Sequence, residues 1–126
     1  AANKEIYSKS INKTLKNFEQ INKNVKFIPN LGSTNFNAAV SKAEFIIGNS
    51  SAGMIIAPYY KTPSINIGKR QTGRILHESV INSNGSINDI MSSIKKIYSK
   101  KFKKLIKNQK FKFSKKNISK IHKFLI

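Results

Sequence analysis

The chain has 126 residues, and its 24 lysines and arginines against five acids give a formal net charge of +19. This length predicts one domain, and 39% hydrophobic residues argue against an intrinsically disordered chain. The absence of cysteine excludes a disulfide framework and a thiolate metal site, and makes the cytoplasm the expected location. Apolar runs are far shorter than the ~20 residues of a membrane helix, so no membrane partner is expected. The missing initial Met and signal peptide suggest a chain cut from something longer.

The positive charge is concentrated at the C-terminal end. Residues 90–126 hold 13 lysines and no acid, whereas residues 1–89 carry a net charge of only +6. Such asymmetry raises the hypothesis of a nucleic-acid or anionic-surface partner. However, only Arg70 and Arg74 are arginines, and proteins that read phosphates or bases rely on the arginine fork. A surface solvated by lysine is therefore favoured over a nucleic-acid partner.

Hydrophobic periodicity gives an alternating order of helices and strands. It predicts helices over 3–22, 33–43, 50–60, 86–106 and 114–126. It predicts strands over 25–28, 44–48 and 63–68, with 80–82 as a short fourth strand. This alternation with short loops predicts an α/β fold, with an open parallel sheet and helices on both faces. Ligands bind such sheets at the carboxyl ends of the strands, which points to loops 30–33, 49–53 and 69–74.

The segment GNSSAG, residues 48–53, lies between a predicted strand and a predicted helix. Helix N-terminal amides lack internal partners and attract anions, Ser50 and Ser51 add hydroxyls, and Gly48 and Gly53 let backbone approach a ligand. We therefore predict a phosphate-binding loop that also includes Asn49. The ending of a P-loop and the dinucleotide fingerprint are both missing. A simpler interpretation, in which one serine only caps the helix, stays open.

The next loop adds a cation to this anion site. Arg70 is expected to project beside the serine loop, where its guanidinium could clamp a phosphate with paired hydrogen bonds. The alternative is an ordinary surface arginine.

Residues for acid–base chemistry are scarce. None of the five acids forms a spaced pair, and the sequence contains no metal-ligand cluster. His77 precedes Glu78, but adjacent side chains seldom face each other, so a structural histidine is favoured. His122 lies among lysines and is expected at the surface. We expect no cofactor. The sequence predicts residues that bind a ligand, without the residues that would supply acid–base catalysis.

Two stretches of the sequence resemble a known protein family. The stretch EFIIGNSSAGMIIAPYYKTPSINIGKRQTGRILHESVIN resembles the C-terminal domain of UDP-N-acetylglucosamine 2-epimerases. It is closer to the hydrolysing branch, which feeds sialic-acid and related nonulosonic-acid synthesis. The upstream stretch NVKFIPNLGSTNFNAAVSKAEF is also similar to that family.

The resemblance implies a GT-B architecture, in which two Rossmann-like domains face each other across a cleft. The chain would then be a single partial C-terminal domain over 1–126 without its N-terminal partner domain, and a homo-oligomer is left open. In the family the C-terminal domain holds most of the uridine diphosphate. Ser50 and Ser51 match the diphosphate-binding serines, Arg70 matches an arginine of the nucleotide site, and Leu31 would lie near the uracil.

The resemblance also implies a reaction, in which UDP is eliminated and the glycal is hydrated to N-acetylmannosamine or an analogue. The family's acid–base residues lie largely before the segment present here, so this chain alone is expected to be inactive. One position departs from the family: Ile56 stands where a glutamate binds the ribose hydroxyls. A basic nucleic-acid or anionic-surface module and an inactive remnant are the alternatives.

Overall fold

A computed structural model describes residues 2–73 and 75–112, so the helix predicted over 114–126 lies outside the described residues. The chain divides into two compact units, Ala1–Gly32 and Ser33–Ile126, and the single domain expected over 1–126 stays a prediction. Within the described residues, no helix is long and apolar enough to cross a membrane. The elements are α1 (Ala2–Ile21), α2 (Ser33–Lys42), β1 (Ile46–Gly48), α3 (Ala52–Tyr59), β2 (Ser64–Ile67), β3 (Val80–Ser83), α4 (Ile87–Ile97) and α5 (Lys100–Lys107).

The first unit consists of α1 and the segment that follows it, and the strand predicted over 25–28 is wrong. A strand requires backbone pairing with a neighbour, and no such ladder is described for these residues. The segment turns back instead: Val25 N–H donates to the Asn22 carbonyl at 3.2 Å. The Phe27 N–H donates to the carboxylate of Glu19 on α1. An apolar run alone therefore did not determine the backbone pairing.

The second unit contains the sheet, and its predicted parallel arrangement is confirmed. The strand order is β1-β2-β3. Ile47 pairs with Ile65, and Ile65 pairs in turn with Ile81, both in parallel register. Helix α3 connects β1 to β2, as a parallel pair requires a crossover.

Strand β2 is covered on both faces, which explains why its residues are nearly all buried. Ile65 packs with Ile97 and Phe102 in the main apolar cluster, where all three side chains are buried. Side chains alternate along a strand, so Ser64 faces the other side. There α3 approaches so closely that a Cβ on Gly53 would lie 2.6 Å from Ser64 Oγ. The fold is a Rossmann-like α/β sheet flanked by helices.

The single helix predicted over 86–106 is wrong, because it is broken between α4 and α5. Ser86 caps α4 as expected, since its hydroxyl accepts from the Asp89 N–H at 3.2 Å. Ser99, with ψ of 148°, is extended and starts a new helix: its hydroxyl accepts from the Phe102 N–H at 3.2 Å. The apolar period continues through this break, so periodicity could not reveal it.

Residues 108–112, which follow α5, are bonded back to the sheet unit. The Gln109 side chain accepts from the Ser79 N–H at 2.7 Å and donates to the Pro58 carbonyl at 3.2 Å. His77 is buried, its ring stacks on Phe111, and its Nε2 accepts from the Lys112 N–H at 2.8 Å. These contacts agree with the structural role favoured for this histidine.

Candidate functional site

The serine loop, defined as residues 48–53, lies at the carboxyl end of β1 and leads into α3. Ser50 Oγ accepts from the Ala52 N–H at 3.1 Å, and the Ser50 carbonyl accepts from the Gly53 N–H at 3.2 Å. Ser50 thus satisfies amides at the start of the helix. Ser51 is the formal N-cap residue, but its hydroxyl makes no capping bond. The cap expected of one serine is provided by Ser50, and the Ser51 hydroxyl remains for another partner.

The two glycines of this loop have different surroundings. A Cβ added to Gly48 would meet nothing within 4 Å, so this exposed glycine leaves open space beside the backbone. Gly53 is buried against Ser64, so its missing side chain is required by the packing of α3 on β2. Of the two, Gly48 has the surroundings that a close approach to a ligand would need.

The serine loop is joined directly to the loop after β2. Gln71 Nε2 donates a hydrogen bond to the carbonyl of Asn49 at 2.9 Å. Arg70, the preceding residue, is exposed and forms no hydrogen bond or ion pair with another described residue. The hydrogen bond therefore links the loop that carries Arg70 to the serine loop. This proximity is expected, because the two loops follow neighbouring parallel strands. Arg74 lies outside the described residues.

A cleft of about 330 Å³ lies beside this junction. It is lined by Met54 from α3, by Asn66 from β2 and by Asn82 from β3. The segment between β2 and β3 contributes the rest of the lining: Gly68, Lys69, Gln71, Thr72, Gly73 and Leu76. The predicted ligand loop 69–74 forms part of this lining, but none of the individual site residues predicted from the sequence lines the cleft. The structure thus adds a cavity with both apolar and polar lining residues next to the predicted phosphate loop.

Two buried side chains in the cleft wall were missed by the sequence reasoning. Asn66 and Gln71 are only 5% and 6% exposed, and each leaves its side-chain oxygen without a hydrogen-bond partner among the described residues. Asn66 Nδ2 donates to Asn82 Oδ1 at 3.0 Å. A polar residue inside the apolar strand SINI was the available signal for Asn66. Gln71 lies in the predicted ligand loop 69–74, but the sequence did not single it out within that loop, because its burial arises from its contact with Asn49.

Two further predicted residues, Leu31 and Ile56, are not among the lining residues of the cleft. Leu31 is half-buried in the first unit. Ile56 is half-buried on α3 and places no polar group there. The role of each in nucleotide binding stays a prediction.

Within residues 2–73 and 75–112, the candidate binding groups are not accompanied by an acid–base pair. Burial and the nearby Lys112 cation lower the pKa of His77, and its ring is engaged with the segment after α5. Glu78 is exposed and forms an ion pair with Lys112 at 3.7 Å. No group of three potential metal ligands occurs in the part of the chain that was searched, residues 2–73 and 75–112. His122 lies outside that part.

The chain is similar to one protein family and to individual members of it. The family model described as UDP-N-acetylglucosamine 2-epimerase matches residues 2–125. A Campylobacter jejuni protein named GDP/UDP-N,N'-diacetylbacillosamine 2-epimerase (hydrolyzing) is 43% identical over 94 residues, which are 74% of this chain and 24% of that protein.

Two further relatives carry related names. A Neisseria meningitidis UDP-N-acetylglucosamine 2-epimerase is 38% identical over 71 residues, 55% of this chain and 19% of that protein. The Escherichia coli polysialic acid biosynthesis protein P7 is 32% identical over 92 residues, 73% of this chain and 24% of that protein. The chain thus spans about a quarter or less of the length of these relatives. Because the family model covers nearly all of its residues, the chain belongs to the UDP-N-acetylglucosamine 2-epimerase family.

Proposed function

We propose that this chain is the UDP-binding C-terminal portion of a hydrolysing UDP-N-acetylglucosamine 2-epimerase. The observation that carries the proposal is the serine loop at the carboxyl end of a parallel strand, in a chain that matches the family over residues 2–125. The Campylobacter relative is named as a hydrolysing enzyme, and the Escherichia coli relative as a polysialic acid biosynthesis protein. In the parent enzyme, UDP would be eliminated and a glycal hydrated to N-acetylmannosamine or an analogue for nonulosonic-acid synthesis.

The proposed binding site for the diphosphate is the serine loop. The Ser51 hydroxyl makes no capping bond, the backbone at Gly48 has open space beside it, and the helix that follows directs its N-terminus at this loop. Arg70 would supply the positive charge, because its guanidinium is exposed on the loop that Gln71 fastens to Asn49.

Calorimetric titration of the 126-residue chain with UDP tests this seat. We expect measurable heat below millimolar UDP and a loss of about tenfold or more in affinity for Arg70→Ala, because charge-assisted hydrogen bonds contribute roughly 1.5–3 kcal/mol each. Lys95→Ala is the matched control, since it removes one exposed positive charge on α4. Absence of heat, or equal affinities of the Arg70 and Lys95 variants, contradicts the assignment.

The departure at Ile56 gives a second, gain-of-affinity test. The family places a glutamate at the matching position for the ribose hydroxyls, so Ile56→Glu should strengthen UDP binding by ~10–100-fold. Ile56→Gln, which lacks the charge, should give a smaller gain. An unchanged affinity of the glutamate variant for UDP would show that residue 56 does not face the ribose.

Catalysis is assigned to the partner domain. The part of the chain that the structure describes places no acid–base pair beside the binding groups, and we propose that the chain alone does not release UDP from UDP-N-acetylglucosamine. Release of UDP by the isolated chain at a rate comparable to a complete family member would contradict this division of labour.

A further inference from the structure

The cleft beside the serine loop contains two hydrogen-bond acceptors that the protein itself does not satisfy. These are Gln71 Oε1 and Asn66 Oδ1, both on side chains more than nine-tenths buried. The orientation of Gln71 is fixed, because its Nε2 donates to the Asn49 carbonyl and a carbonyl can only accept. Its Oε1 must therefore be the free acceptor.

An unsatisfied buried acceptor destabilises the folded state. Five buried side-chain atoms of the described residues have no hydrogen-bond partner, and two of them belong to residues that line this one cleft, where a ligand could supply the missing donors. The ligand group must carry O–H or N–H donors. A phosphate carries only acceptor oxygens when fully ionised, and would be repelled by both side chains.

We propose that this cleft binds an uncharged, hydroxyl-bearing group of the nucleotide sugar, with Gln71 and Asn66 as its hydrogen-bond acceptors. The inference rests on the proposed function, because it takes the phosphates to lie at the adjacent serine loop. In this arrangement, the anionic oxygens of the ligand bind backbone amides, the Ser51 hydroxyl and Arg70. Its neutral hydroxyls bind the two carboxamides. The ribose and the hexose share this chemistry, and the experiment below separates them.

Access to the acceptors requires a movement of the loop. Both oxygens are out of contact with solvent in the free protein. Gly68 and Gly73 flank the segment that carries Gln71, with φ of 79° and 89°. Positive φ values are accessible to glycine at little cost, so these two positions are suited to act as hinges. Ligand binding would then shift this segment, Gln71 included, and pair the buried oxygens with donors.

Gln71 also connects the two halves of the proposed site. The same carboxamide donates through Nε2 to the Asn49 carbonyl of the serine loop and carries the unpartnered Oε1, and Gln71 lines the cleft. Occupation of the cleft should therefore be felt at the serine loop. This coupling predicts that a ligand carrying both groups binds more tightly than its parts do.

The test is a set of NMR titrations of the full 126-residue chain with four probes: pyrophosphate, UDP, UDP-N-acetylglucosamine and free N-acetylglucosamine. The reporters are the side-chain amide signals of Gln71 and Asn66 for the cleft, and the backbone amide signal of Ser51 for the serine loop. We expect pyrophosphate to shift Ser51 strongly and UDP-N-acetylglucosamine to shift all three. Because Gln71 is bonded to the serine loop, the occupant is read from Asn66: a shift that UDP causes and pyrophosphate does not identifies the ribose, and a shift that needs the hexose identifies the sugar.

The variant Gln71→Leu tests the contribution of the carboxamide. It should weaken UDP-N-acetylglucosamine by about tenfold and pyrophosphate by less, because pyrophosphate loses only the support that Gln71 Nε2 gives to the Asn49 carbonyl. Asn37→Leu is the matched control. Asn37 is also buried with an unpartnered side-chain oxygen, but it lies on α2 and does not line the cleft. Its replacement should leave both affinities unchanged.

The outcomes separate this inference from the proposed function. Shifts at Ser51 without any at Gln71 and Asn66, under all four probes, overturn the cleft assignment and leave the phosphate seat intact. Shifts of the carboxamides without Ser51 support the cleft and overturn the phosphate seat. No shift under any probe overturns both. The wild-type titrations decide these cases even if the Gln71 variant fails to fold.

Discussion

Gly53 is the residue at which the packing of α3 on the sheet is most sensitive. A Cβ there would lie 2.6 Å from Ser64 Oγ, and Ser64 is only 1% exposed. We expect Gly53→Ala to lower the free energy of unfolding by about 1–3 kcal/mol, the usual cost of overpacking, in spite of alanine's better helix propensity. Urea unfolding followed by circular dichroism measures this change.

The partner of Gly53 supplies the control for this prediction. In the double variant with Ser64→Ala, the hydroxyl is gone and the nearest remaining contacts are Ile46 Cδ1 at 3.8 Å and the residue 64 Cβ at 3.9 Å, so most of the stability should return. Gly48→Ala should change stability by no more than about 0.5 kcal/mol, because nothing lies within 4 Å of the added carbon. A double variant as unstable as Gly53→Ala alone would show that the hydroxyl is not the obstacle.

His77 should make folding stability depend on pH. Burial and the Lys112 cation lower the pKa of His77, while the exposed Glu78 carboxylate opposes this less strongly. The unfolded chain therefore takes up the proton first. The contribution of His77 is complete above the unfolded pKa of about 6.5 and is lost as the pH falls through the lower folded value. Protonation also removes the Nε2 lone pair that accepts from the Lys112 N–H.

Urea unfolding at about pH 7.5 and about pH 5.5, on either side of the histidine pKa, tests this dependence. We expect the wild-type chain to lose more stability on acidification than His77→Gln, in which the side chain has no proton to gain. His77 stacks on Phe111, so the glutamine variant should already be less stable at the higher pH. Parallel pH curves for the two proteins would contradict the assignment to His77.

The candidate site was predictable only in its local part. The serine loop could be located from the sequence because small polar residues follow an apolar strand directly. Gln71 and Asn66 could not be identified, since their burial depends on contacts with Asn49 and with the cleft wall that no local pattern encodes. The distinction between Gly48 and Gly53 likewise depends on Ser64, eleven positions further along the chain than Gly53.

Among the helices, α5 depends on the cap that starts it. Ser99 accepts from the Phe102 N–H, and Phe102 is 2% exposed in the main apolar cluster. We expect Ser99→Ala to lower the free energy of unfolding by about 1 kcal/mol, as loss of a serine cap usually does. Ser92→Ala, at an exposed position within α4, should be neutral or slightly stabilising. Equal effects of the two substitutions in thermal or urea unfolding would contradict the capping role.

Elements with their own local signals were predicted well, and those defined by distant partners were not. Helices α1, α2 and α3 and the three parallel strands follow the predicted ranges within a few residues. Residues 25–28 have a strand-like composition, but backbone pairing cannot be read from composition. The break at Ser99 was hidden because the apolar spacing of α4 continues into α5. Its serine was the only local clue to a second helix start.

Across the chain as a whole, lysine charge is largely uncompensated. The described acids are already engaged: the carboxylates of Glu19, Glu44 and Asp89 accept hydrogen bonds from Phe27, Tyr98 and Asn84, and Glu78 pairs with Lys112. That ion pair is the only one between described residues. Most of the positive charges that make up the +19 net charge are therefore unpaired, and their mutual repulsion destabilises the folded state.

Salt should consequently stabilise the fold. Raising sodium chloride from about 0.01 M to about 0.15 M shortens the Debye length from about 30 Å to about 8 Å, which screens repulsion between exposed lysines. We expect the free energy of unfolding to rise on the order of 1 kcal/mol over this range. A variant with Lys100, Lys101 and Lys104 replaced by glutamine should start more stable and gain less from salt, because these exposed residues crowd α5. A salt response as large in that variant as in the parent chain would place the repulsion elsewhere.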